Sequence, residues 1–151
     1  MAKKQAAKKS KKKSAARKPA KRAAKPAPSL EALARKIVRA TQNPEFPFVT
    51  LYTADCSSAE AAGEPARGHA GIEAKNKGWA QMQTSSKWHA RNVWTGRNTI
   101  CIEWDGEVQM RDGRTVNLRE IAVHEIKDGK IQHERYFYNP AVLAPAPAAA
   151  S

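Results

Sequence analysis

Acidic residues are missing from the first 28 positions of this chain. That stretch, MAKKQAAKKSKKKSAARKPAKRAAKPAP, holds twelve Lys or Arg and no Asp or Glu. The formal charge of +13 over 151 residues therefore belongs to one end, because the other positions hold 15 basic and 14 acidic residues. Cysteine is scarce as well. Cys56 and Cys101 are far apart and form no C-x-x-C or Cys/His spacing, so a zinc site and a dithiol redox motif are not expected. No Gly-rich phosphate loop occurs, which removes the sequence basis for nucleotide cradling. No run of about eighteen apolar residues could cross a membrane, and no signal-peptide apolar region is visible. These absences lead us to expect a soluble cytoplasmic protein with free thiols, no cofactor, no metal and no membrane partner.

The N-terminal segment is Lys, Ala and Pro with almost nothing to bury. Such a composition cannot offset its chain entropy, so residues 1–28 are expected to be a disordered polybasic tail. Lys8, Lys9, Lys11, Lys12, Lys13, Arg17, Lys18, Lys21 and Arg22 are its candidate nucleic-acid contacts. They would bind polyanions through counterion release, without reading sequence. No aromatic residue is interleaved to stack on bases. The pattern resembles the Lys/Ala/Pro tails of linker histones and some bacterial nucleoid proteins, which implies nucleoid association. A merely solubilising tail is the plainer reading.

The rest of the chain is patterned. Ser29 offers a helix N-cap, and Leu30, Leu33, Ala34, Ile37 and Val38 recur at helical spacing up to the stop at Asn43-Pro44. Phe46 to Leu51 reads as a short helix or turn. Asp55 to Ala61 is a strand of poor propensity. Ala70 to Gln83 has helical character. From Ser86 the pattern becomes β: Lys87 to Thr95, then Thr99 to Met110 with a bend expected at Asp105-Gly106. After the Asp112-Gly113 turn, Asn117 to Lys127 and Lys130 to Pro140 form a hairpin around Asp128-Gly129. Helices set against an antiparallel meander give an α+β fold with a concave side. The expected division is a tail over 1–28, a domain over 29–143 and a disordered Ala/Pro tail over 144–151.

Five motifs in order carry a family resemblance. They are Tyr52-Thr53-Ala54-Asp55, Arg67-Gly68 with Ile72, Asp112-Gly113-Arg114, Asp128-Gly129-Lys130-Ile131, and Arg135-Tyr136-Phe137-Tyr138. Over roughly Ser29 to Leu143 the chain resembles the SnoaL-like branch of the nuclear transport factor 2-like superfamily. That resemblance implies a cone-shaped α+β barrel, a curved antiparallel sheet wrapped around N-terminal helices, and commonly a homodimer. It also implies a pocket for a small apolar ligand. Where polyketide cyclases, isomerases and epoxide hydrolases of that superfamily place acids, this chain has Ala122 and Asn139. Neither transfers a proton at neutral pH.

Strand alternation puts residues two apart on one face. Cys56, Ser58 and Glu60 then share a face, as do Glu120, Ala122 and His124, and as do His133, Arg135, Phe137 and Asn139. The expected pocket is Ser58, Glu60, Ala122, His124, Phe137 and Asn139. Glu60 and His124 are the candidate catalytic pair, since a histidine with a carboxylate partner can move protons near neutral pH. Trp79, Trp88, Trp104 and Trp94 read as core or dimer-interface aromatics. Three functions compete. One is a small-molecule-binding or dimerisation module without the usual acids. The second is an enzyme of cyclase, isomerase or epoxide hydrolase type using Glu60 and His124. The third is a nucleoid-associated protein in which the domain only pairs the tails.

Overall fold

The computed structural model describes residues 28–145, and the polybasic tail lies outside them. Helix α1 runs Leu30–Thr41. Its start is fixed by Ser29, whose Oγ accepts a hydrogen bond from the Ala32 amide at 3.2 Å. Leu33, Ala34, Ile37 and Ala40 form its buried stripe. A 3-10 turn, Phe48–Leu51, leads into β1, Tyr52–Ala59. The short β2, Ala66–Arg67, precedes α2, Gly68–Met82. Four long strands follow: β3, Gln83–Gly96; β4, Thr99–Met110; β5, Thr115–Lys127; and β6, Lys130–Phe137. A second 3-10 turn, Pro140–Leu143, ends the described chain.

The sheet order is β2-β1-β6-β5-β4-β3, with β1 and β6 parallel and the other neighbours antiparallel. This is the expected α+β architecture, a curved six-stranded sheet with two helices on its concave side. The weakest strand expectation, over Asp55 to Ala61, is realised as β1. It survives poor propensity because it is hydrogen-bonded on both sides, by β2 and by β6.

Strand β4 shows why the sheet curls where it does. Its inner positions Ile100, Ile102, Trp104 and Val108 are buried, and its alternate positions face outward. Each fully buried aliphatic of this kind contributes roughly 1.5–3 kcal/mol. Gly106 interrupts the series for a steric reason: a Cβ there would lie 2.5 Å from the Trp88 ring of β3. Trp88 occupies that notch and meets Trp104 edge to face at 6.3 Å between centroids. The register irregularities of this pair sit on β3, between Gln83 and Ser85 and between Ala90 and Asn92, rather than at Asp105-Gly106.

The irregularity in the β5–β6 pair decides the site. Around the Asp128-Gly129 turn, Lys127 pairs with Lys130 and Ile126 with Ile131. The next pair is Glu125 with His133, so Gln132 is an extra residue on β6. Beyond this bulge His124 faces Glu134 and Ala122 faces Tyr136. A one-residue shift turns every later side chain to the opposite face. The interior therefore receives Glu134, Tyr136 and Tyr138 where unbroken alternation from Ile131 would have sent His133, Arg135 and Phe137.

Candidate functional site

The concave side of the sheet, α1, α2 and the two 3-10 turns enclose a cavity of about 820 Å3. Its walls are unequal. One end is apolar, with Phe46, Phe48, Trp79, Trp88 and Leu143. The other gathers Glu60 at the end of β1, Lys75 on α2, Glu120 and His124 on β5, and Glu134 on β6.

Glu134 is the hub of the polar end. Its side chain is only 1% exposed. Ser58 Oγ donates to Oε1 at 2.6 Å, and Lys75 Nζ lies 3.8 Å from the same oxygen. His124 Nδ1 lies 3.2 Å from Oε2, off the line of a well-aligned hydrogen bond. Burial alone would raise this carboxyl, but His124, Lys75 and Ser58 together outweigh it and hold its pKa down to about 2. The group is a carboxylate at neutral pH. Its charge, with burial, keeps the phenols of Tyr52 and Tyr136 protonated, their pKa values raised well above the usual 10.

His124 is equally buried, at 2% exposure, and its ring meets Tyr136 edge to face. Its Nε2 has no hydrogen-bond partner among the described residues, although the side chain lines the cavity. An imidazole whose Nδ1 faces a carboxylate presents Nε2 as its working nitrogen. A buried polar atom left without a partner costs roughly 1–3 kcal/mol.

Lys75 and Glu60 form the rim. Lys75 Nζ sits 2.7 Å from Glu60 Oε1 and 4.3 Å from the centre of the Tyr136 ring. Burial and the neighbouring carboxyls of Glu60 and Glu120 push the Tyr138 phenol to about 12. Glu120 is different from the other two acids. Burial first, then the nearby carboxylates Glu60 and Glu134, push it up to about 8 against the opposing pull of Lys75. At pH 7 its surroundings therefore favour the protonated, neutral form. Among the described residues no cluster of three or more His, Cys, Asp or Glu is arranged to hold a metal ion.

The structure brings Glu60 and His124 to one cavity, but they are linked through Lys75 and Glu134 rather than to each other. Ser58 is buried behind the wall and serves Glu134, while Ala122 is packed into the core between Glu120 and His124. Phe137 and Asn139 are corrections to the expected pocket. The bulge at Gln132 turns Phe137 outward, where it is 51% exposed. Asn139 lies past the end of β6, and its Oδ1 accepts from the Ala141 amide to start the last 3-10 turn. Trp79, Trp88 and Trp104 line the cavity and Trp94 is exposed on the outer face. Missing from the expected pocket are Glu134, Lys75, Tyr136 and Tyr138. Their one sequence signal is the alternation Glu134, Tyr136, Tyr138, legible only once the bulge is known. The positions suggested for nucleic-acid contact, Lys8 to Arg22, lie outside the described residues.

The sequence profile of the SnoaL-like domain matches residues 34–134. No curated protein matches the chain. Solved structures do, at identities that speak for the fold alone. A provisionally named SnoaL-like polyketide cyclase from Jannaschia sp. is 13% identical, with 76% of this chain and 94% of that one covered and a TM-score of 0.64. A protein of ketosteroid isomerase-like fold from Catenulispora acidiphila, solved in complex with trimethylamine, is 14% identical over 72% of this chain and 88% of that one, with a TM-score of 0.64. A provisionally named isomerase from Bacillus subtilis is 19% identical over 73% and 86%, with a TM-score of 0.61.

Proposed function

The chain belongs to the SnoaL-like domain family, and on that premise we propose that it is an acid–base enzyme that moves a proton on a small, largely apolar molecule held in the cone. The observation that carries this reading is His124. Its imidazole is buried against the carboxylate of Glu134, its Nε2 has no hydrogen-bond partner among the described residues, and the residue lines an 820 Å3 cavity. A buried ion pair is weak as a stabilising device, and apolar residues of like volume commonly serve as well. Placed at a cavity wall, the same pair holds an acid–base group in one orientation. Nε2 takes the proton, and Glu134 stabilises the imidazolium that forms. Negative charge developing on the ligand meets the Lys75 ammonium and the neutral phenols of Tyr136 and Tyr138. Cyclisation and isomerisation reactions can both use such a transfer, and two of the solved structures of this fold are provisionally named cyclase and isomerase. Glu60, the other catalytic candidate, is held by Lys75 at the rim and acts on its position.

The test is proton exchange. A panel of cyclic ketones is incubated with the protein in D2O and the hydrogens beside the carbonyl are followed by NMR. Exchange above the buffer rate is expected for at least one ketone, falling at least a hundredfold in His124→Ala. No exchange across the panel, or exchange that survives the substitution, overturns the reading.

Two partner proposals accompany it. Val93, Trp94 and Phe137 are large apolar side chains exposed on the domain, which supports pairing of two copies into a homodimer. Sedimentation of Trp94→Glu against wild type checks this, the variant being expected to shift towards monomer. The charge of residues 1–28 supports non-specific contact with nucleic acid. Loss of retention on a DNA column after deletion of the tail, and steep salt dependence before it, are the expected results.

A further inference from the structure

Two cavity acids, Glu73 and Glu120, are left without a task by the acid–base reading; Glu73 is exposed on α2, whereas Glu120 is half-buried on β5. Its carboxyl lines the wall, and no side chain among the described residues pairs with it. The near cation is already committed: Lys75 lies 2.7 Å from Glu60 and 3.8 Å from Glu134. The rings around Glu120 are aromatic. Trp104 is its direct cross-strand neighbour on β4. On the other side, β6 brings Tyr136 opposite Ala122 and Phe137 opposite Ile121, so Tyr138 follows alongside. Both Trp104 and Tyr138 line the cavity with it. A carboxyl flanked by aromatic side chains is an arrangement that suits an organic ammonium, since ring faces and carboxylate attract the same cation. The cavity already shows this taste internally, because the Lys75 ammonium sits over Tyr136 at 4.3 Å and against Glu60.

We propose that the cone selects ligands bearing a basic nitrogen, with the ammonium held by Glu120 between Trp104 and Tyr138. The inference rests on the cavity being a ligand site, as the reading above requires, and it adds the class of ligand. The polar end supports the sign of the charge. Glu60, Glu120 and Glu134 face Lys75 and His124 there, and the flanking phenols of Tyr136 and Tyr138 stay neutral. Without ligand Glu120 holds a proton up to about pH 8, because burial and the two other carboxylates outweigh Lys75. An arriving ammonium is the charge that lets it ionise. Binding therefore releases the Glu120 proton to solvent. Affinity rises with pH towards 8, as less of the free protein carries a proton that must leave.

A matched pair of probes tests this: 1-naphthylmethylamine and the neutral 1-naphthalenemethanol, titrated by calorimetry from pH 6 to 8.5 in two buffers of different ionisation enthalpy. The amine is expected to bind at least tenfold tighter than the alcohol at pH 8 and to release close to one proton near pH 7. Glu120→Gln should abolish both effects. Glu120→Asp keeps the charge and should keep the preference, which guards against a folding defect in the amide variant. Alcohol binding with no amine preference, or a preference that survives Glu120→Gln, overturns the ammonium site and leaves the acid–base reading standing. Failure of both probes to bind overturns it together with the cavity as a ligand site.

Discussion

His124 Nδ1 stands 3.2 Å from Glu134 Oε2, with both side chains almost wholly removed from solvent. Such a pair is costly to break from one side, because the survivor keeps its burial and loses its partner. Glu134→Ala should therefore destabilise the domain by about 3–5 kcal/mol, measured by urea unfolding. The double variant Glu134→Leu with His124→Leu should recover most of that loss while exchange activity stays absent. Equal losses in the single and double variants would contradict the pairing.

Glu134 also gives the fold an acid limit. Its pKa is about 2 in the folded chain and near 4.5 when free of these partners. A depressed carboxyl stabilises fully above the unfolded value and loses that contribution as pH falls from 4.5 towards 2. The melting temperature of wild type should drop through this window. In Glu134→Gln the drop should be shallower, starting from a lower plateau.

Glu120 has the opposite sign. Its folded pKa of about 8 lies above the ordinary 4.5, so the folded state holds a proton that the unfolded chain gives up. Its contribution is complete below 4.5 and is lost as pH rises towards 8. Glu120→Gln should match wild type at pH 4.5 and exceed it by roughly 2 kcal/mol or more at pH 8, read from urea midpoints at both pH values. A constant difference between the two proteins would show that Glu120 does not titrate in this window.

Gly106→Ala should cost about 1–3 kcal/mol, the usual penalty of overpacking. The added methyl would meet the Trp88 ring at 2.5 Å, and the ring must leave its notch to relieve it. Because Trp88 lines the cavity, a shift in tryptophan emission should accompany the loss. Unchanged emission would place the strain elsewhere.

Much of this architecture is legible in the residues. Ser29, Pro44 and the apolar stripe from Leu30 to Val38 mark α1 almost to the residue. The turns Asp112-Gly113 and Asp128-Gly129 mark the β hairpins. Glu60, Glu120 and His124 reach the cavity on the faces that simple alternation assigns them. Alternation then fails at Gln132. Nothing in the composition of β6 announces an extra residue, because a bulge is set by the pairing of two strands and not by either alone. Its effect is to exchange His133, Arg135 and Phe137 for Glu134, Tyr136 and Tyr138 inside the cone. Lys75 was hidden differently: on α2 only Ile72 is fully buried, so the helix has no strong apolar stripe to show which side faces in.

The parallel pairing of β1 with β6 has a consequence for the order in which this molecule is made. Ser58 and Glu134 are 76 residues apart and touch at 2.6 Å. Strand β1 must wait beside β2 while α2, β3, β4 and β5 are synthesised, and its second neighbour is the last strand of all. Closing so long a loop is slow compared with forming the hairpins that follow β3. The hairpins should therefore assemble first, with the cone shut by a late docking of the chain's two ends. Glu134 already faces His124 in the β5–β6 hairpin, so what that late step adds to it is Ser58 on β1, which donates to its carboxylate.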